Sequence, residues 1–198
     1  MNGDNSSPAV SSDGVFVSYP CQVYKFDPIT GSSLWHYSGG CSGGGGRTPA
    51  YANGLLYVRD PSAFPGGHIF DATAGTQVGN FTATPIPAIS PQTSFFLNAG
   101  TLQAIDLSSH NVVWSFVGDG ALVLAPIVID KTVIVGSSSG NVYALDASTG
   151  SQIWSENAGS TITAPNEQGL SELPGFGAGD GYLVVPAGNV LTAWHISN

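Results

Sequence analysis

Short apolar runs follow one another along the whole chain, and turn-forming residues separate them. Examples are Val-Phe-Val at 15–17, Leu-Leu-Tyr-Val at 55–58 and Val-Ile-Val at 133–135. The 27 glycines and 13 prolines are spread between these runs rather than clustered. Apolar residues are nowhere sustained at the 3.6-residue spacing of a helix. The pattern therefore predicts an all-β chain of many short strands joined by turns, with almost no helix.

The strand pattern repeats along the chain. Prolines at 8, 49, 87, 126 and 165 recur at intervals of 38 to 41 residues, and similar apolar runs follow each of them. A period near 40 residues with four short strands is typical of the blades of a β-propeller. We predict four complete four-stranded antiparallel blades and an incomplete fifth that lacks its outermost strand, with repeat bounds 7–47, 48–83, 84–124, 125–163 and 164–198.

Each complete repeat has an Asp at the turn between its third and fourth strands. Its carboxylate can accept hydrogen bonds from turn amides, and a Gly four residues later can take a positive φ. A Trp eight residues after the Asp can wedge between adjacent blades and donate through its indole N–H. The structural residues of this pattern are Asp27, Gly31, Trp35, Asp71, Gly75, Asp106, Trp114, Asp146, Gly150 and Trp154.

Two repeats depart from this pattern. The second has Gly79 at the Trp position, with Phe81 nearby as a substitute, and the third has His110 at the Gly position. We expect these two blades to be less regular than the others.

The segment 142–154, Val-Tyr-Ala-Leu-Asp-Ala-Ser-Thr-Gly-Ser-Gln-Ile-Trp, resembles the tryptophan-docking repeat of the pyrroloquinoline-quinone-type propellers. The resemblance implies a single bacterial propeller domain over 1–198 that forms part of a ring of about eight blades. The family includes quinone-dependent alcohol dehydrogenases and also a non-catalytic outer-membrane assembly lipoprotein. The repeat therefore indicates a fold and does not choose between these functions.

Charge argues against a nucleic-acid partner, and the length of the apolar runs argues against membrane insertion. Only 9% of the residues are charged, and the net charge is −9 with Lys25, Lys131, Arg47 and Arg59 as the cations. So few cations cannot form a nucleic-acid footprint. No apolar run approaches the roughly 20 residues of a membrane helix, so membrane insertion is not predicted.

The same scarcity of cations bears on the family's cofactor. The catalytic relatives hold a tricarboxylate quinone with Arg or Lys contacts and calcium, and some have adjacent cysteines beneath it. This chain has four cations and no adjacent cysteine pair, so no cofactor is predicted. Pyrroloquinoline quinone with calcium is expected only if the chain is part of a dehydrogenase.

The two cysteines predict a disulfide. If the turn at 27–31 pairs Phe26 with about Leu34, residue 21 falls opposite about 39, which brings Cys21 and Cys41 near bridging distance. A disulfide in turn predicts a periplasmic or secreted protein. The four histidines lie in four different repeats without ligand spacing, so no metal site is predicted.

Candidate ligand residues are few, and none is predicted to be catalytic. The insertion at 166–179 is the predicted functional loop, because loops carry specificity on rigid scaffolds. The ligand candidates are Arg47, Arg59, Glu167, Trp194 and His195. A polysaccharide site would use aromatic platforms at Tyr19, Tyr51, Phe64 and Trp194, and a hydrolytic one would use two of Asp60, Glu156, Glu167 and Glu172.

Three functions follow, in order of preference. The first is a non-catalytic extracytoplasmic binding or scaffold module with a protein or glycan partner. Such a module could also self-associate through open blade edges, because unpaired strand edges attract other strands. The second is a portion of a quinone-dependent alcohol or sugar dehydrogenase. The third is a polysaccharide-binding or hydrolytic propeller.

Overall fold

The computed structural model describes residues 6–19, 21–41, 47–59, 66–167 and 175–196. Within these ranges every regular element is a β-strand, and all strand pairs are antiparallel. The strands form sheets of four consecutive strands, with three in the last sheet. The predicted all-β class and the four-stranded antiparallel blades are confirmed.

The chain divides into two compact units, and the first comprises Met1–Ile86 and Asn166–Leu173. This unit contains two sheets whose strands are paired in chain order. Sheet 1 consists of β1 (Ala9–Ser11), β2 (Gly14–Tyr19), β3 (Gln22–Phe26) and β4 (Ser33–Ser38). Sheet 2 consists of β5 (Ala50–Ala52), β6 (Leu55–Arg59), β7 (Gly67–Asp71) and β8 (Gln77–Phe81).

The second unit comprises Pro87–Pro165 and Pro174–Asn198 and contains three sheets. Sheet 3 consists of β9 (Ala88–Ile89), β10 (Thr93–Asn98), β11 (Thr101–Asp106) and β12 (Val112–Phe116). Sheet 4 consists of β13 (Ile127–Ile129), β14 (Thr132–Gly136), β15 (Asn141–Asp146) and β16 (Gln152–Asn157). Sheet 5 consists of β17 (Gly177–Gly179), β18 (Tyr182–Ala187) and β19 (Val190–His195).

Alternation along the strands decides which residues enter the core. In β2 and β3, Phe16 and Val23 are fully buried, whereas Val15, Val17 and Tyr24 are only partly buried. Successive side chains of a strand point to opposite faces of the sheet, so this pattern gives sheet 1 one buried face and one exposed face. The repeats at 7–47 to 164–198 each enclose one of the five sheets, and the repeat boundaries themselves stay predictions.

Stacked sheets bury these faces within each unit. In the first unit, Phe16 and Val23 of sheet 1 pack with Leu56, Val58 and Phe70 of sheet 2. In the second unit, one core joins sheets 3 and 4 and another joins sheets 4 and 5. Side chains of neighbouring sheets therefore supply each core jointly, as in other layered β structures.

The turn between the third and fourth strands has one geometry in all four complete sheets. The Asp backbone carbonyl accepts a hydrogen bond from the residue four positions later, at 2.8 to 2.9 Å. A register shift lies just before each Asp, at 25/26, 69/70, 104/105 and 144/145. Such a bulge increases the local twist of the strand and re-aims its side chains. The turn survives in sheet 3, where His110 takes the positive φ of 59° that Gly takes elsewhere.

Cys21 and Cys41 form a disulfide, with their Cα atoms 5.4 Å apart. The Cys21 carbonyl accepts a hydrogen bond from the Gly39 amide, so residue 21 lies opposite residue 39 at the end of the β3–β4 hairpin. In the part of the chain that the structure describes, no helix is long and apolar enough to cross a membrane.

Candidate binding surface

Two tryptophans lie against the turn of the following sheet in the same way. Trp35 of sheet 1 donates its indole N–H to the Ala72 carbonyl of sheet 2 at 3.1 Å. A Cβ built at Gly75, where φ is +71°, would lie 2.7 Å from Cδ2 of Trp35. The indole therefore occupies the space that any side chain at residue 75 would need. We call this arrangement, a carbonyl one residue after the Asp and a glycine four residues after it, an indole seat.

The second filled indole seat lies in the other unit. Trp114 of sheet 3 donates to the Ala147 carbonyl of sheet 4 at 3.1 Å. A Cβ at Gly150, where φ is +72°, would lie 2.6 Å from Cδ2 of Trp114. Because both units build the same contact, the seat is a recurrent feature of the repeat. Trp154 differs, since its ring lies edge-on to Trp194 at 5.2 Å.

Sheet 1 presents a face that does not pack on sheet 2. We call it the outer face of sheet 1; its residues are Val10, Val15, Val17, Tyr19, Gln22, Tyr24 and Phe26. Val15 pairs with Phe26 and Val17 with Tyr24, as Leu56 pairs with Phe70 and Val58 with His68 in sheet 2. Strand register thus identifies the matching positions in every sheet.

Burial at these matching positions separates sheet 1 from the other sheets. Val15 and Val17 are only partly buried, and Val10 is 65% exposed. The residues at the positions of Val15 and Val17 in three other sheets are fully buried, namely Leu56, Val58, Val133, Val135, Leu183 and Val185. In those sheets this face is covered, whereas in sheet 1 the same apolar positions remain accessible.

The outer face is polar only near one end. Gln22 accepts a hydrogen bond from the Tyr24 hydroxyl and lies 3.0 Å from Nε2 of His36. The Tyr24 and His36 rings stack with centroids 4.3 Å apart, and Phe26 stacks on Tyr24 at 5.7 Å. The seven residues of the outer face include no Asp, Glu, Lys or Arg. An uncharged and aromatic surface of this kind favours burial against another apolar surface, such as a further blade or another protein.

Two of the predicted ligand residues are bonded to each other. Arg59 and Glu167 are 3% and 5% exposed, and they form a salt bridge inside the first unit. Glu167 Oε1 also accepts the Thr48 amide at 2.9 Å, and Arg59 donates to the Thr84 carbonyl at 2.6 Å. Each buried side chain thereby has an oppositely charged partner. The salt bridge connects Glu167, at the start of the 166–179 insertion, to Arg59 of β6 in sheet 2.

Three ligand candidates remain, Arg47 in the first unit and Trp194 and His195 in the second. Arg47 is partly buried before β5, and Trp194 is partly buried beside Trp154. His195 is exposed, with its ring 5.1 Å from the ring of Tyr182. Trp194 and His195 are consecutive in β19, so their side chains point to opposite faces of sheet 5, and the ligand roles of all three residues stay predictions.

The carbohydrate candidates are placed as follows. Tyr51 stacks on Phe16 at 5.4 Å within the core, whereas Tyr19 is 45% exposed on the outer face of sheet 1. Phe64, Asp60 and Glu172 lie outside the described residues.

Glu156 lines an open cleft of about 330 Å³ on sheet 4, together with Asn141, Tyr143, Ser155 and Asn157. Asn157 donates to Asn141 at 2.8 Å, and Asn141 donates to Asp119 at 2.8 Å. Burial and the nearby Asp119 charge raise the pKa of Tyr143. The side-chain amides of Asn141 and Asn157 are therefore already hydrogen-bonded to neighbouring side chains.

The available cations do not fit a tricarboxylate quinone. Lys25 is 4% exposed and forms an ion pair with Asp13 at 2.9 Å, while Arg59 is paired with Glu167. Hydrogen bonds from Ser11 and from Lys25 lower the pKa of Asp13. Two of the chain's four Lys and Arg residues are thus buried and paired with a carboxylate, and the carboxylate of Asp13 is itself exposed. To contact a quinone carboxylate, Lys25 or Arg59 would have to leave the carboxylate that it already binds. Among the described residues, no three His, Cys, Asp or Glu cluster as metal ligands.

Sequence reasoning did not single out the outer face of sheet 1. The sequence alone does place Val15 and Val17 at repeat positions that are apolar in the other blades, because the repeats can be aligned on their Asp. Distinguishing covered from accessible positions needed the exposure of each side chain.

A β-propeller of repeated four-stranded blades, each with an Asp-centred turn, is the class of protein that this fold defines. The chain belongs to the family described as "Outer membrane protein assembly factor BamB", a family of PQQ-like repeats, whose model matches residues 4–184. The resemblance seen in the repeat is confirmed by this match.

Similar proteins include both an assembly factor and an enzyme. The chain is 26% identical over 186 residues to tetrathionate hydrolase of Acidithiobacillus ferrooxidans, covering 82% of this chain and 36% of that protein. It is 34% identical over 56 residues to BamB of Shewanella oneidensis, covering 28% and 14%. The crystal structure of BamB from Moraxella catarrhalis superposes with a TM-score of 0.70 at 18% identity, covering 98% of this chain and 59% of that one. The chain thus spans well under half of these curated relatives.

Proposed function

We propose that this chain is a non-catalytic, extracytoplasmic protein-binding module of the assembly or scaffold type. The observation that carries the proposal is membership of the family described as an outer membrane protein assembly factor. The outer face of sheet 1 supplies apolar surface for contact with a further blade of the same propeller or with a partner protein.

The disulfide supports the extracytoplasmic part of the proposal. Cys21 and Cys41 are bonded to each other, and structural disulfides persist in oxidising compartments such as the periplasm. The contacts of Trp35 and Trp114 with the following turns support assigning the tryptophan-docking role to the repeat. In this assignment the repeat residues hold blades together and leave binding to exposed faces.

Site-specific photo-crosslinking in the native cells tests the proposal. A photoreactive amino acid is placed at Val10 or Tyr19 on the outer face, which are 65% and 45% exposed. Matched control positions are Val78 and Ile153, 59% and 60% exposed on the fourth strands of other sheets. We expect one discrete protein adduct from the outer-face positions and none from the controls. Absence of any adduct, or equal adducts from all four positions, would refute a protein-binding role for this face.

The similarity to tetrathionate hydrolase requires one enzymatic control. Tetrathionate is a small dianion, and a site for it would need available cationic or strongly donating groups. Incubation of the purified chain with tetrathionate is expected to leave its concentration unchanged. Turnover that scales with protein concentration would overturn the non-catalytic proposal.

A further inference from the structure

The open cleft on sheet 4 lies beside the last two strands of that sheet. Asn141 and Tyr143 of β15 line it together with Ser155, Glu156 and Asn157 of β16. Sheets 3 and 5 both pack on sheet 4 within the second unit, so the cleft is not the docking position of a further blade. Its volume of about 330 Å³ falls within the range of small-molecule sites, roughly 300–1,000 Å³.

A difference between two repeats explains why sheet 4 has this cleft. In sheet 1, Tyr24 lies opposite His36, and the two rings stack with their centroids 4.3 Å apart. In sheet 4, Tyr143 has the repeat position of Tyr24, three residues before the turn Asp, but the residue opposite it is Ser155. The small serine leaves unfilled the space that an imidazole ring occupies in sheet 1.

Hydrogen bonds hold the inner part of the lining in place. Asp119 Oδ2 accepts from the Ser137 hydroxyl at 2.7 Å and from the Asn141 amide at 2.8 Å. Asn141 Oδ1 accepts from the Asn157 amide at 2.8 Å, and Asn157 Oδ1 accepts the backbone amide of Gly159 at 2.9 Å. Side chains that are already fixed lose little conformational entropy when a ligand binds.

The other polar groups of the lining are two hydroxyls and a carboxylate. The Ser155 hydroxyl accepts from the side-chain amide of Gln152 at 3.0 Å and retains its own proton for donation. Burial and the nearby Asp119 charge raise the pKa of Tyr143, so its hydroxyl also stays a donor. Glu156 is exposed and supplies the acceptor oxygens of its carboxylate. The cleft therefore presents donors and acceptors side by side.

We propose that this cleft binds a neutral pyranose unit of a glycan through two adjacent ring hydroxyls. One hydroxyl of such a pair donates to Glu156, and the other accepts from Ser155 or Tyr143. The apolar face of the sugar ring covers Tyr143, in the position where His36 covers Tyr24 in sheet 1. This ligand goes beyond the protein-binding role, and its site is separate from the outer face of sheet 1.

Charge restricts the ligand to an uncharged sugar. Glu156 lines the cleft and Asp119 is bonded to Asn141 of the lining, whereas the lining residues that the structure describes include no Lys or Arg. A uronic acid would bring its carboxylate beside these carboxylates without a cationic partner, which is costly. One sugar ring in an open cleft makes few contacts, so we expect a dissociation constant on the order of millimolar.

Saturation-transfer difference NMR on the full chain tests the proposal. The probes are the methyl glycosides of glucose, galactose, mannose and N-acetylglucosamine, at concentrations on the order of millimolar. We expect saturable transfer to at least one of them. The methyl glycoside of glucuronic acid is the charged control and should bind more weakly than that of glucose. Tetrahydropyran-2-methanol, which has no adjacent ring hydroxyls, is the neutral control and should show no transfer.

Three protein variants locate the binding. Ser155→His rebuilds in sheet 4 the ring pair of sheet 1 and fills the cleft, so we expect the dissociation constant to rise about tenfold or more. Ser115→His is the matched control, because residue 115 has the same repeat position in sheet 3 and lies opposite Gln103; we expect wild-type affinity. Glu156→Gln removes a charged acceptor and should raise the dissociation constant about fivefold. Circular dichroism melting verifies that each variant is folded.

Four results would overturn the inference. They are no transfer to any of the four neutral glycosides, equal transfer to tetrahydropyran-2-methanol, unchanged affinity in Ser155→His, and the same loss of affinity in Ser115→His. Tetramethylammonium is a further probe: if it binds and the glycosides do not, the cleft is a site for cations and the sugar is wrong. Crosslinks from Val10 and Tyr19 report on the first unit, so their outcome is independent of this test.

Discussion

At the scale of single residues, two aspartates of the repeat turn, Asp106 and Asp146, are held as anions. The Ser108 hydroxyl donates to Asp106 at 2.7 Å and the Ser148 hydroxyl donates to Asp146 at 2.6 Å. With the turn amides, these hydrogen bonds lower the pKa of both carboxyl groups to about 2. Because the charged form is the one that the turn binds, the folded state favours ionised Asp.

This arrangement predicts a loss of stability in acid. A carboxyl whose pKa is depressed on folding stabilises the protein above its unfolded pKa, near 3.8, and that contribution disappears as the pH falls toward about 2. The free energy of unfolding should therefore decrease between about pH 4 and pH 2. In the double variant Asp106→Asn, Asp146→Asn, which cannot titrate at these positions, the decrease should be smaller. Melting temperatures across this pH range test it, and equal acid sensitivity of both proteins would argue against the assignment.

Glycine has two separable roles in the same turns. Gly75→Ala adds backbone strain at φ +71° and a collision with Trp35, whereas Gly31→Ala adds only the strain at φ +70°. We expect Gly31→Ala to destabilise by about 1 kcal/mol and Gly75→Ala by about 2–3 kcal/mol, because overpacking adds to the strain. Urea unfolding of the two variants gives the difference. Equal destabilisation by Gly31→Ala and Gly75→Ala would show that the collision with Trp35 has no effect on the free energy of unfolding.

At the scale of elements, the hairpin of β3 and β4 is closed by the Cys21–Cys41 disulfide, across a sequence separation of 20 residues. A loop of this size is stabilised by a disulfide by about 3 kcal/mol. The variant Cys21→Ser, Cys41→Ser should lower the free energy of unfolding by that amount. Reductant should have the same effect on the wild-type protein and none on the variant. An unchanged urea midpoint after complete reduction would contradict the prediction.

The link between β6 and the 166–179 insertion depends on a buried charge pair. Removing one partner of such a pair leaves the other charged and desolvated, so Glu167→Gln should destabilise by about 3 kcal/mol. Glu156→Gln, on the exposed strand β16, is the control and should change stability by under about 0.5 kcal/mol. Adding Arg59→Met to Glu167→Gln should recover part of the loss. A double variant no more stable than the single one would show that the charge pair is not the cause.

These two elements also show what a sequence can predict. The disulfide followed from hairpin register, because the turn at 27–31 fixes which residues lie opposite each other. The Arg59–Glu167 contact joins residues 108 positions apart, and no periodicity or motif relates them. The sequence offers both as ligand candidates, and only their salt bridge in the folded protein shows that each is the partner of the other.

At the scale of the whole molecule, the repeat determines the fold and leaves the function to exposed faces. The 40-residue period, the turn aspartates and the strand pattern were sufficient to predict an all-β chain of blades. Accessibility of the outer face was beyond the sequence, since Val15 and Leu56 occupy the same position of the repeat and differ only in what covers them. Family membership does not decide the question either, because similar proteins include an assembly factor and an enzyme.

The central claim is that this chain is a binding module rather than a quinone enzyme, and a thermal-shift titration with pyrroloquinoline quinone tests it most directly. The titration is run with and without calcium on the full chain. A ligand at 100 times its Kd would stabilise the folded state by about 2.7 kcal/mol, which raises the melting temperature visibly. We predict no shift, because Lys25 and Arg59 are already paired with carboxylates. A saturable, calcium-dependent rise in melting temperature would contradict the claim and make the chain part of a quinoprotein.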